Sequence, residues 1–301
     1  MHRFMDLVIT EQLAKRYGAR TALAGLDLRV PEGSLFGFLG PNGAGKSTTL
    51  RLLLGFLRPS AGRALLCGFD AWRDGKRARA EVGYLPGELR LPGWMSAASG
   101  LALVERVRKR ALVRRGLELA ERLGLDAQVR ARQMSSGMRQ KLGLVLALAH
   151  EPRLLVLDEP SSALDPLVQL ELQAILRERS QAGTTILFSS HSLAEVDGLC
   201  ERVAILREGR LVAHESLATL RALAPRHVVL RFEKPRVGEP PEFLELETRT
   251  PTLWRGELCG PVQELLRWAA KESIADLSLG EADLESLFHR HYRGAASEAR
   301  A

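Results

Sequence analysis

The stretch from Gly40 to Thr48 reads GPNGAGKST, which places glycines, a lysine and hydroxyl side chains at the spacing of a phosphate-binding loop. Glycines let backbone amides turn inward around an anion, and the N-terminus of a following helix adds partial positive charge. Lys46 can reach the terminal phosphates of a nucleotide, and the Ser47 hydroxyl can bind Mg²⁺. The other loop residues expected to contact the nucleotide are Gly40, Pro41, Asn42, Gly43, Ala44, Gly45 and Thr48.

The residues on either side of this loop support that interpretation. Residues 33–39 are apolar and aromatic, as in a buried strand, and leucines follow at three- and four-residue spacing from Leu50 to Leu57, as on one face of a helix. A strand, a glycine-rich loop and a helix form the context that the motif requires. Kinases, GTPases, helicases, motors and transport ATPases all use such a loop, so its use has to be identified from the rest of the chain.

Two later strands are predicted to end in polar residues that suit nucleotide hydrolysis. Four apolar residues precede Asp158 and Glu159, which predicts a buried strand that ends in two carboxylates. Asp158 is expected to hold Mg²⁺ through water, and Glu159 is expected to orient and polarise the attacking water. Another apolar strand ends near His191, and residues 167–183 predict a crossover helix between the two strands. The strands are then parallel neighbours, which brings His191 to the same sheet edge, near the γ-phosphate.

A second anion site is predicted at the start of a later helix. Ser135 precedes an apolar stretch from Lys141 to Ala149 and is placed to cap the N-terminus of that helix. A nucleotide that already has a phosphate loop needs no second cradle on the same chain, so this site makes sense when the nucleotide is held between two subunits. Ser135, Ser136 and Gly137 of one subunit would then contact the γ-phosphate held by the other.

Taken together, these motifs resemble those of the ABC ATPase family over about residues 5–220. GPNGAGKST is similar to the Walker A motif of the family, LLVLDEP to Walker B with its catalytic glutamate, and SSGMRQ to the family signature, while His191 stands at the switch-histidine position. The resemblance implies that Tyr17 stacks on adenine and that Asp165, in a stretch similar to the D-loop, lies near the nucleotide. It also implies binding of ATP and Mg²⁺, hydrolysis of ATP, and an ATP-dependent head-to-tail homodimer.

The chain departs from the family pattern in two places. In the signature, Met134, Ser136 and Met138 replace the usual leucine, glycine and glutamine, although Ser136 can still offer its amide and hydroxyl to a phosphate. After GYLP, the family has a glutamine or glutamate that senses Mg²⁺, whereas this chain has Gly87 followed by Glu88. Gly87 has no side chain with which to bind a metal, so Glu88 is the candidate to replace the missing ligand.

The composition limits the class of protein. The chain has 301 residues, of which 46% are hydrophobic and 26% are charged, as in a globular protein with a core. Its apolar runs are far shorter than the roughly 20 residues that span a membrane, and its N-terminus lacks a signal-peptide pattern. The cysteines (Cys67, Cys200 and Cys259) lack metal-ligand spacing and are expected to be reduced thiols.

We expect an α/β fold with two domains. Residues 1–223 are predicted to form an ABC ATPase core of the P-loop NTPase fold, a mixed sheet with helices and a helical subdomain at about 92–150. Residues 224–293 are predicted to form a small α/β module, which resembles the C-terminal appendage of ABC-2-type drug and antibiotic exporter ATPases. Residues 294–301 are expected to be disordered.

Three shorter elements are predicted within the second domain. Residues 227–232 and 274–279 have the pattern of strands, and residues 261–273 have that of a helix. Ser278 and Glu281 have the spacing of a capping box, which predicts a last helix that extends toward Tyr292.

The resemblance implies the nucleotide-binding subunit of an ABC exporter. Such a subunit would be cytoplasmic and peripheral on the inner face of the cell membrane, and it would power efflux of a drug, antibiotic or lipid-like compound through a separate integral-membrane permease. The alternative is a soluble ABC ATPase that acts on ribosomes or DNA, and its support is the net charge of +7 and the arginine-rich residues 106–115. Those residues equally suit a solvated helical face or a contact with lipid headgroups or a membrane partner.

Two features of the chain disfavour the alternatives. Translation-type members of the family usually have two cassettes, and DNA-repair types have coiled coils or zinc modules. This sequence has the motifs of one cassette, so no nucleic acid is expected as a partner. The presence of both Glu159 and His191 disfavours a module that binds the nucleotide without hydrolysing it.

Overall fold

The computed structural model describes residues 6–236 and 238–283, in two compact units that meet in sequence at His214 and Glu215. The strands up to this boundary are β1 (Asp6–Tyr17), β2 (Arg20–Pro31), β3 (Leu35–Leu39), β4 (Ala61–Leu66), β5 (Phe69–Asp70), β6 (Val82–Leu85), β7 (Leu154–Asp158), β8 (Thr185–Ser190), β9 (Arg202–Arg207) and β10 (Arg210–Ser216), the last of which crosses it. The helices of the first unit are α1 (Lys46–Leu53), α2 (Gly75–Ala78), α3 (Ala97–Arg108), α4 (Val113–Arg122), α5 (Ser136–Leu148), α6 (Pro166–Gln181) and α7 (Leu193–Asp197).

The central sheet of the first unit positions the predicted site. Its strand order is β10-β9-β3-β8-β7-β6, and β6, β7, β8, β3 and β9 run parallel. Every residue of β3, β7 and β8 is buried, in agreement with their continuous apolar sequences. The predicted crossover helix is α6, and the predicted parallel pairing of β7 with β8 is confirmed. The loop after β3, Glu159 after β7 and His191 after β8 therefore leave the sheet at one edge.

A second sheet of the first unit has the order β2-β1-β4-β5. Its first two strands form an antiparallel hairpin, in which Tyr17 pairs with Arg20 beside the turn. Apolar side chains from both sheets and from α1 share one core. Helices α3, α4 and α5 lie in the segment predicted to be a helical subdomain, about residues 92–150. Among the described residues, no α-helix combines the length and the hydropathy needed to cross a membrane.

In its described residues, the second unit combines a sheet with two helices. Its elements are α8 (Leu217–Leu223), β11 (Arg226–Phe232), β12 (Leu244–Arg249), β13 (Leu253–Leu258), α9 (Val262–Ala269) and β14 (Ile274–Ala282). The strands are antiparallel in the order β12-β13-β11-β14, and Leu230, Trp254 and Leu265 lie in the core that they form with α9. The predictions of β11, α9 and β14 are confirmed, whereas β12 and β13 were not predicted.

The predicted capping box in the second unit is wrong. Ser278 and Glu281 both lie in β14, where Ser278 pairs with Val229 of β11. Pairing with a neighbouring strand satisfies the backbone groups of this segment, and that gain outweighs a local helix-start signal. The rest of the predicted last helix, residues 284–292, and the predicted disordered tail, residues 294–301, lie outside the described residues.

Candidate nucleotide-binding site

The predicted phosphate loop connects β3 to α1, and its backbone conformation is fixed by contacts within the chain. Gly45 precedes α1 with a φ of 107°, a conformation that glycine adopts readily. A Cβ at Gly45 would lie 2.6 Å from the carbonyl oxygen of Ala22, so a larger residue would also collide with the neighbouring backbone. The Thr49 hydroxyl donates to the carbonyl oxygen of Gly45 at 2.9 Å and ties the loop to the first turn of α1.

A pocket of about 230 Å³ opens at this loop. Tyr17 and Arg20 line it from the end of the β1–β2 hairpin, and Glu159 lines it from the end of β7. The other lining residues are Ala22, Pro41, Asn42, Gly43, Gly45, Lys46, Ser47 and Thr48. The structure therefore brings Tyr17, Glu159 and most of the predicted loop together. Arg20 was not predicted, because a single arginine in a hairpin turn has no distinctive sequence pattern.

Lys46 is buried at the centre of the loop. Its ammonium group donates to the carbonyl oxygen of Gly40 at 2.6 Å and to that of Pro41 at 3.4 Å. It also lies 3.4 Å from a carboxylate oxygen of Glu159. A buried ammonium group needs such oxygen partners, and phosphate oxygens are partners of the same kind. Lys46 can therefore exchange the Glu159 contact for a phosphate contact without leaving its position.

Glu159 lies between two other predicted residues. One of its carboxylate oxygens faces Lys46, and the other lies 3.4 Å from Nδ1 of His191. The backbone of Glu159 has a φ of 49°, in the left-handed region that residues other than glycine seldom occupy. Its amide donates to the carbonyl oxygen of Ser189 at 3.2 Å and to the Ser189 hydroxyl at 3.1 Å. The neighbouring strand thus holds Glu159 in this unusual conformation.

Asp158 ends β7 with a buried carboxylate. The Ser189 hydroxyl donates to one carboxylate oxygen of Asp158 at 2.7 Å. Gly87 lies beside the other oxygen, because a Cβ at Gly87 would be 3.2 Å from it. Glu88, the predicted replacement ligand, exposes most of its side chain and lies 3.8 Å from Arg90. The structure thus places Gly87 at the buried carboxylate and turns Glu88 toward solvent.

Ser135 caps α5, as predicted. Its hydroxyl accepts a hydrogen bond from the amide of Met138 at 3.2 Å. Ser136 and Gly137 form the first turn of the helix. In the described part of the chain, the lining of the nucleotide pocket does not include Ser135, Ser136 or Gly137.

The turn after β7 holds the start of α5 at short range. A Cβ at Gly137 would lie 2.6 Å from the carbonyl oxygen of Ala163. The Gln140 side chain donates to the carbonyl oxygens of Glu159 and Pro160, at 3.3 and 3.1 Å. Gln140 was not predicted to belong to the site, although a buried glutamine among apolar residues is a signal that could have found it.

Asp165 has a local structural role. It caps α6, and its carboxylate accepts a hydrogen bond from the amide of Val168 at 3.0 Å. Asp165 does not line the nucleotide pocket among the described residues.

A phosphate loop between a strand and a helix, with two carboxylates at the end of a strand in the same parallel sheet, defines a nucleotide-hydrolysing protein of the P-loop class. Residues 23–162 match the family model described as ABC transporter. The chain is 38% identical over 291 residues to the daunorubicin resistance ATP-binding protein DrrA3 of Streptomyces coeruleorubidus, and the match covers 93% of this chain and 90% of DrrA3. It is 38% identical over 216 residues to the Nod factor export ATP-binding protein I of Paraburkholderia xenovorans, covering 70% of this chain and 71% of that protein.

Solved structures agree with this assignment. The structure of an ATP-binding subunit of an ABC transporter is 29% identical, covers 71% of this chain and 92% of that chain, and superposes with a TM-score of 0.67. A dimeric structure of a bacterial ABC transporter cassette is 22% identical, covers 70% and 98%, and shows the same fold with a TM-score of 0.65. The chain belongs to the family of ABC transporter ATP-binding proteins and is an ATPase.

Proposed function

We propose that this chain is the ATP-hydrolysing subunit of an ABC exporter, which powers efflux of a drug, antibiotic or lipid-like compound through a separate membrane permease. The match to DrrA3, a protein named for daunorubicin resistance, covers nearly the whole chain, including most of the second unit. The match to a protein named for Nod factor export adds a second relative named for export. In this role the chain would act on the cytoplasmic face of the cell membrane.

The position of the Glu159 carboxylate carries the part of the proposal that concerns ATP hydrolysis. It lies between the Lys46 ammonium group and the His191 ring, 3.4 Å from each. We assign Lys46 to the terminal phosphates of ATP, His191 to the γ-phosphate, and Glu159 to the attacking water. A carboxylate in this position can orient the water and accept its proton, while the cationic neighbour stabilises the charge that develops on the phosphate.

The oxygen donors of the site suit Mg²⁺. Ser47 offers a hydroxyl in the pocket, and Asp158 offers a buried carboxylate at the end of β7. Both are hard oxygen ligands of the kind that Mg²⁺ prefers. When bound, the cation would neutralise charge on the phosphates. Gly87, next to Asp158, has no side chain that could bind the cation. We infer that a water molecule would replace the missing side-chain ligand.

A second copy of the chain would complete the site. Ser135, Ser136 and Gly137 lie outside the pocket lining, and the start of α5 can supply an anion site to another molecule. We assign these residues to the γ-phosphate of an ATP held by the partner in a head-to-tail dimer, with Asp165 near the same nucleotide. A cassette of the same fold was solved as a dimer, which supports the proposal that the chain dimerises.

An apolar groove of about 390 Å³ in the first unit offers a docking place for the permease. Three apolar side chains in its lining are exposed, Phe56 by 52%, Leu103 by 44% and Val107 by 72%. Grouped exposed apolar side chains on a soluble surface mark sites of protein contact. We assign the groove to an apolar cytoplasmic segment of the permease.

The contacts of the arginine-rich segment lower the support for an action on ribosomes or DNA. Arg110 and Arg115 pair with Glu151, at 3.6 and 2.5 Å. Arg108 donates to the carbonyl oxygen of Val82 at 2.8 Å. These guanidinium groups are engaged within the first unit, so they are less suited to bind phosphates of a nucleic acid.

The proposal is tested by isolating the tagged full chain from its native cells after gentle solubilisation of membranes, with mass spectrometry of the co-purifying proteins. A polytopic membrane protein in stoichiometric amount supports it. Ribosomal proteins or nucleic acid, with the chain mostly in the soluble fraction, contradict it. The Val107→Asp variant is expected to bind ATP but no longer to co-purify with the membrane protein, because it places a charge in the groove. Leu266→Asp, at an exposed leucine of α9, is the matched control and should still co-purify with it.

A further inference from the structure

A hydrogen-bonded bridge joins the segments that carry Glu159 and His191. Glu195, on α7, accepts a hydrogen bond from the Ser161 hydroxyl at 2.6 Å on one carboxylate oxygen and from the Ser190 hydroxyl at 2.5 Å on the other. We propose that Glu195 is a positioning residue for ATP hydrolysis and sets the relative positions of Glu159 and His191 through these two serines. The inference rests on the roles proposed above for Glu159 and His191.

The two serines stand next to the proposed catalytic residues in the chain. Ser190 ends β8 and directly precedes His191, while Ser161 lies in the turn that begins at Glu159. Both serines are buried. A bridge between them therefore fixes how the two segments leave the edge of the sheet.

The turn at Ser161 transmits this restraint to Glu159. The amide of Ser162 donates to the carbonyl oxygen of Glu159 at 3.2 Å, and the amide of Leu164 donates to that of Ser161 at 3.1 Å. These hydrogen bonds make the turn rigid, so a displacement of Ser161 also displaces Glu159.

The helix that carries Glu195 is itself anchored. Val196 is fully buried, and a Cβ at Gly37 of β3 would lie 2.5 Å from a methyl group of Val196, so α7 packs directly on the backbone of that strand. The amide of Ser192 donates to the Ser190 hydroxyl at 2.9 Å and ties the start of α7 to β8. Glu195 therefore extends toward both serines from a helix whose position is fixed.

A carboxylate is the group that suits this position. Each of its two oxygens accepts from one serine hydroxyl, and hydrogen bonds to a charged acceptor are stronger than those between neutral groups. Glutamine offers one acceptor oxygen, so Glu195→Gln keeps the size of the side chain and loses part of the bridge. Glu195 does not line the nucleotide pocket among the described residues, so its effect has to pass through Ser161 and Ser190.

The test is steady-state ATP hydrolysis by the purified full chain, well below the melting temperature of each variant. We expect Glu195→Ala to lower kcat by about tenfold to a hundredfold, with KM for ATP changed by less than about threefold, because Lys46 and Ser47 lie outside the bridge. Glu195→Gln should fall between Glu195→Ala and the unchanged chain. Glu201→Ala, at an exposed glutamate shortly after α7, is the matched control and should keep the original kcat.

A double-mutant cycle separates positioning from a general loss of structure. Ser161→Ala should lower kcat by itself and add little to Glu195→Ala, because both changes remove the same bridge. An unchanged kcat in Glu195→Ala, or full additivity of the two changes, overturns the inference, as does a loss of kcat that only follows the unfolded fraction. Glu159→Gln is measured in parallel: if it retains turnover, the proposed function fails, and if only Glu195→Ala retains turnover, the bridge alone fails.

Discussion

The Glu159 carboxylate lies 3.4 Å from the ammonium group of Lys46, so the group assigned to water activation is paired with the group assigned to phosphate binding. The Lys46 side chain is 5% exposed, and little solvent screens its charge. A phosphate group that binds Lys46 competes with Glu159 for the same cation. The charge of Glu159 therefore opposes phosphate binding in the pocket, whereas the role proposed for Glu159 in hydrolysis depends on the same charge.

Glu159→Gln is expected to bind ATP at least as tightly as the unchanged chain and to lower ATP turnover by about a hundredfold or more. The amide keeps the shape of the side chain but neither competes for Lys46 as an anion nor accepts a proton from water. Binding is measured with a fluorescent ATP analogue and turnover by phosphate release, and a stable dimer in MgATP is expected on gel filtration. Normal turnover in Glu159→Gln would show that Glu159 is not the catalytic base. Glu178→Gln, at an exposed carboxylate on α6, is the control and should keep normal turnover.

Gly137→Ala is expected to destabilise the first unit by about 1–3 kcal/mol, because the added methyl group would lie 2.6 Å from the carbonyl oxygen of Ala163. Gly198→Ala is the matched control, since a Cβ there meets nothing within 4 Å. The free energy of unfolding is measured in urea by circular dichroism. Equal stability of the two variants would contradict the close approach of α5 to the turn after β7.

Acid is expected to destabilise the first unit through His150. Burial, followed by the positive charge of Arg108, lowers the pKa of His150 from 6.5 to about 4. Between these values the unfolded chain binds more protons than the folded chain, so stability rises with pH. The contribution of His150 is fully present above pH 6.5 and is lost as the pH falls toward 4; between pH 7.5 and 5 the loss amounts to about 2 kcal/mol.

His150→Gln should flatten this dependence on pH, because glutamine does not titrate. The free energy of unfolding is compared at pH 7.5 and pH 5, at constant ionic strength. The same slope in His150→Gln as in the unchanged chain would exclude His150 as its source.

Arg236→Met is expected to destabilise the second unit by about 2 kcal/mol. The Arg236 guanidinium lies 4.5 and 4.9 Å from the ring centroids of Trp254 and Trp268 and donates to both carboxylate oxygens of Glu272, at 2.9 and 2.7 Å. Near-ultraviolet circular dichroism of the tryptophans during urea unfolding measures the loss. Arg231→Met, at an exposed arginine 4.0 Å from its carboxylate partner, should cost less than about 0.5 kcal/mol, and a similar cost at both positions would contradict the account.

The elements of the first unit that carry the predicted site could be predicted because their signals are local. Continuous apolar runs predicted β7 and β8, and the spacing of the leucines after Ser47 predicted α1. In the second unit β12 and β13 were missed, since β12 has few apolar residues beyond Leu244 and Leu246, and Gly256 interrupts β13. The capping box at Ser278 was a local signal that strand pairing overrode.

The amino-acid sequence by itself determined the phosphate loop, the carboxylates that end β7, and the helix cap at Ser135, because each depends on residue types at fixed short spacing. Only the tertiary structure decided that Glu159 contacts both Lys46 and His191, and that Glu195 joins Ser161 to Ser190. It also decided that Arg110 and Arg115 pair with Glu151. Such contacts join residues distant in the chain, and their distances depend on how the strands and helices pack, which no local pattern of residues specifies.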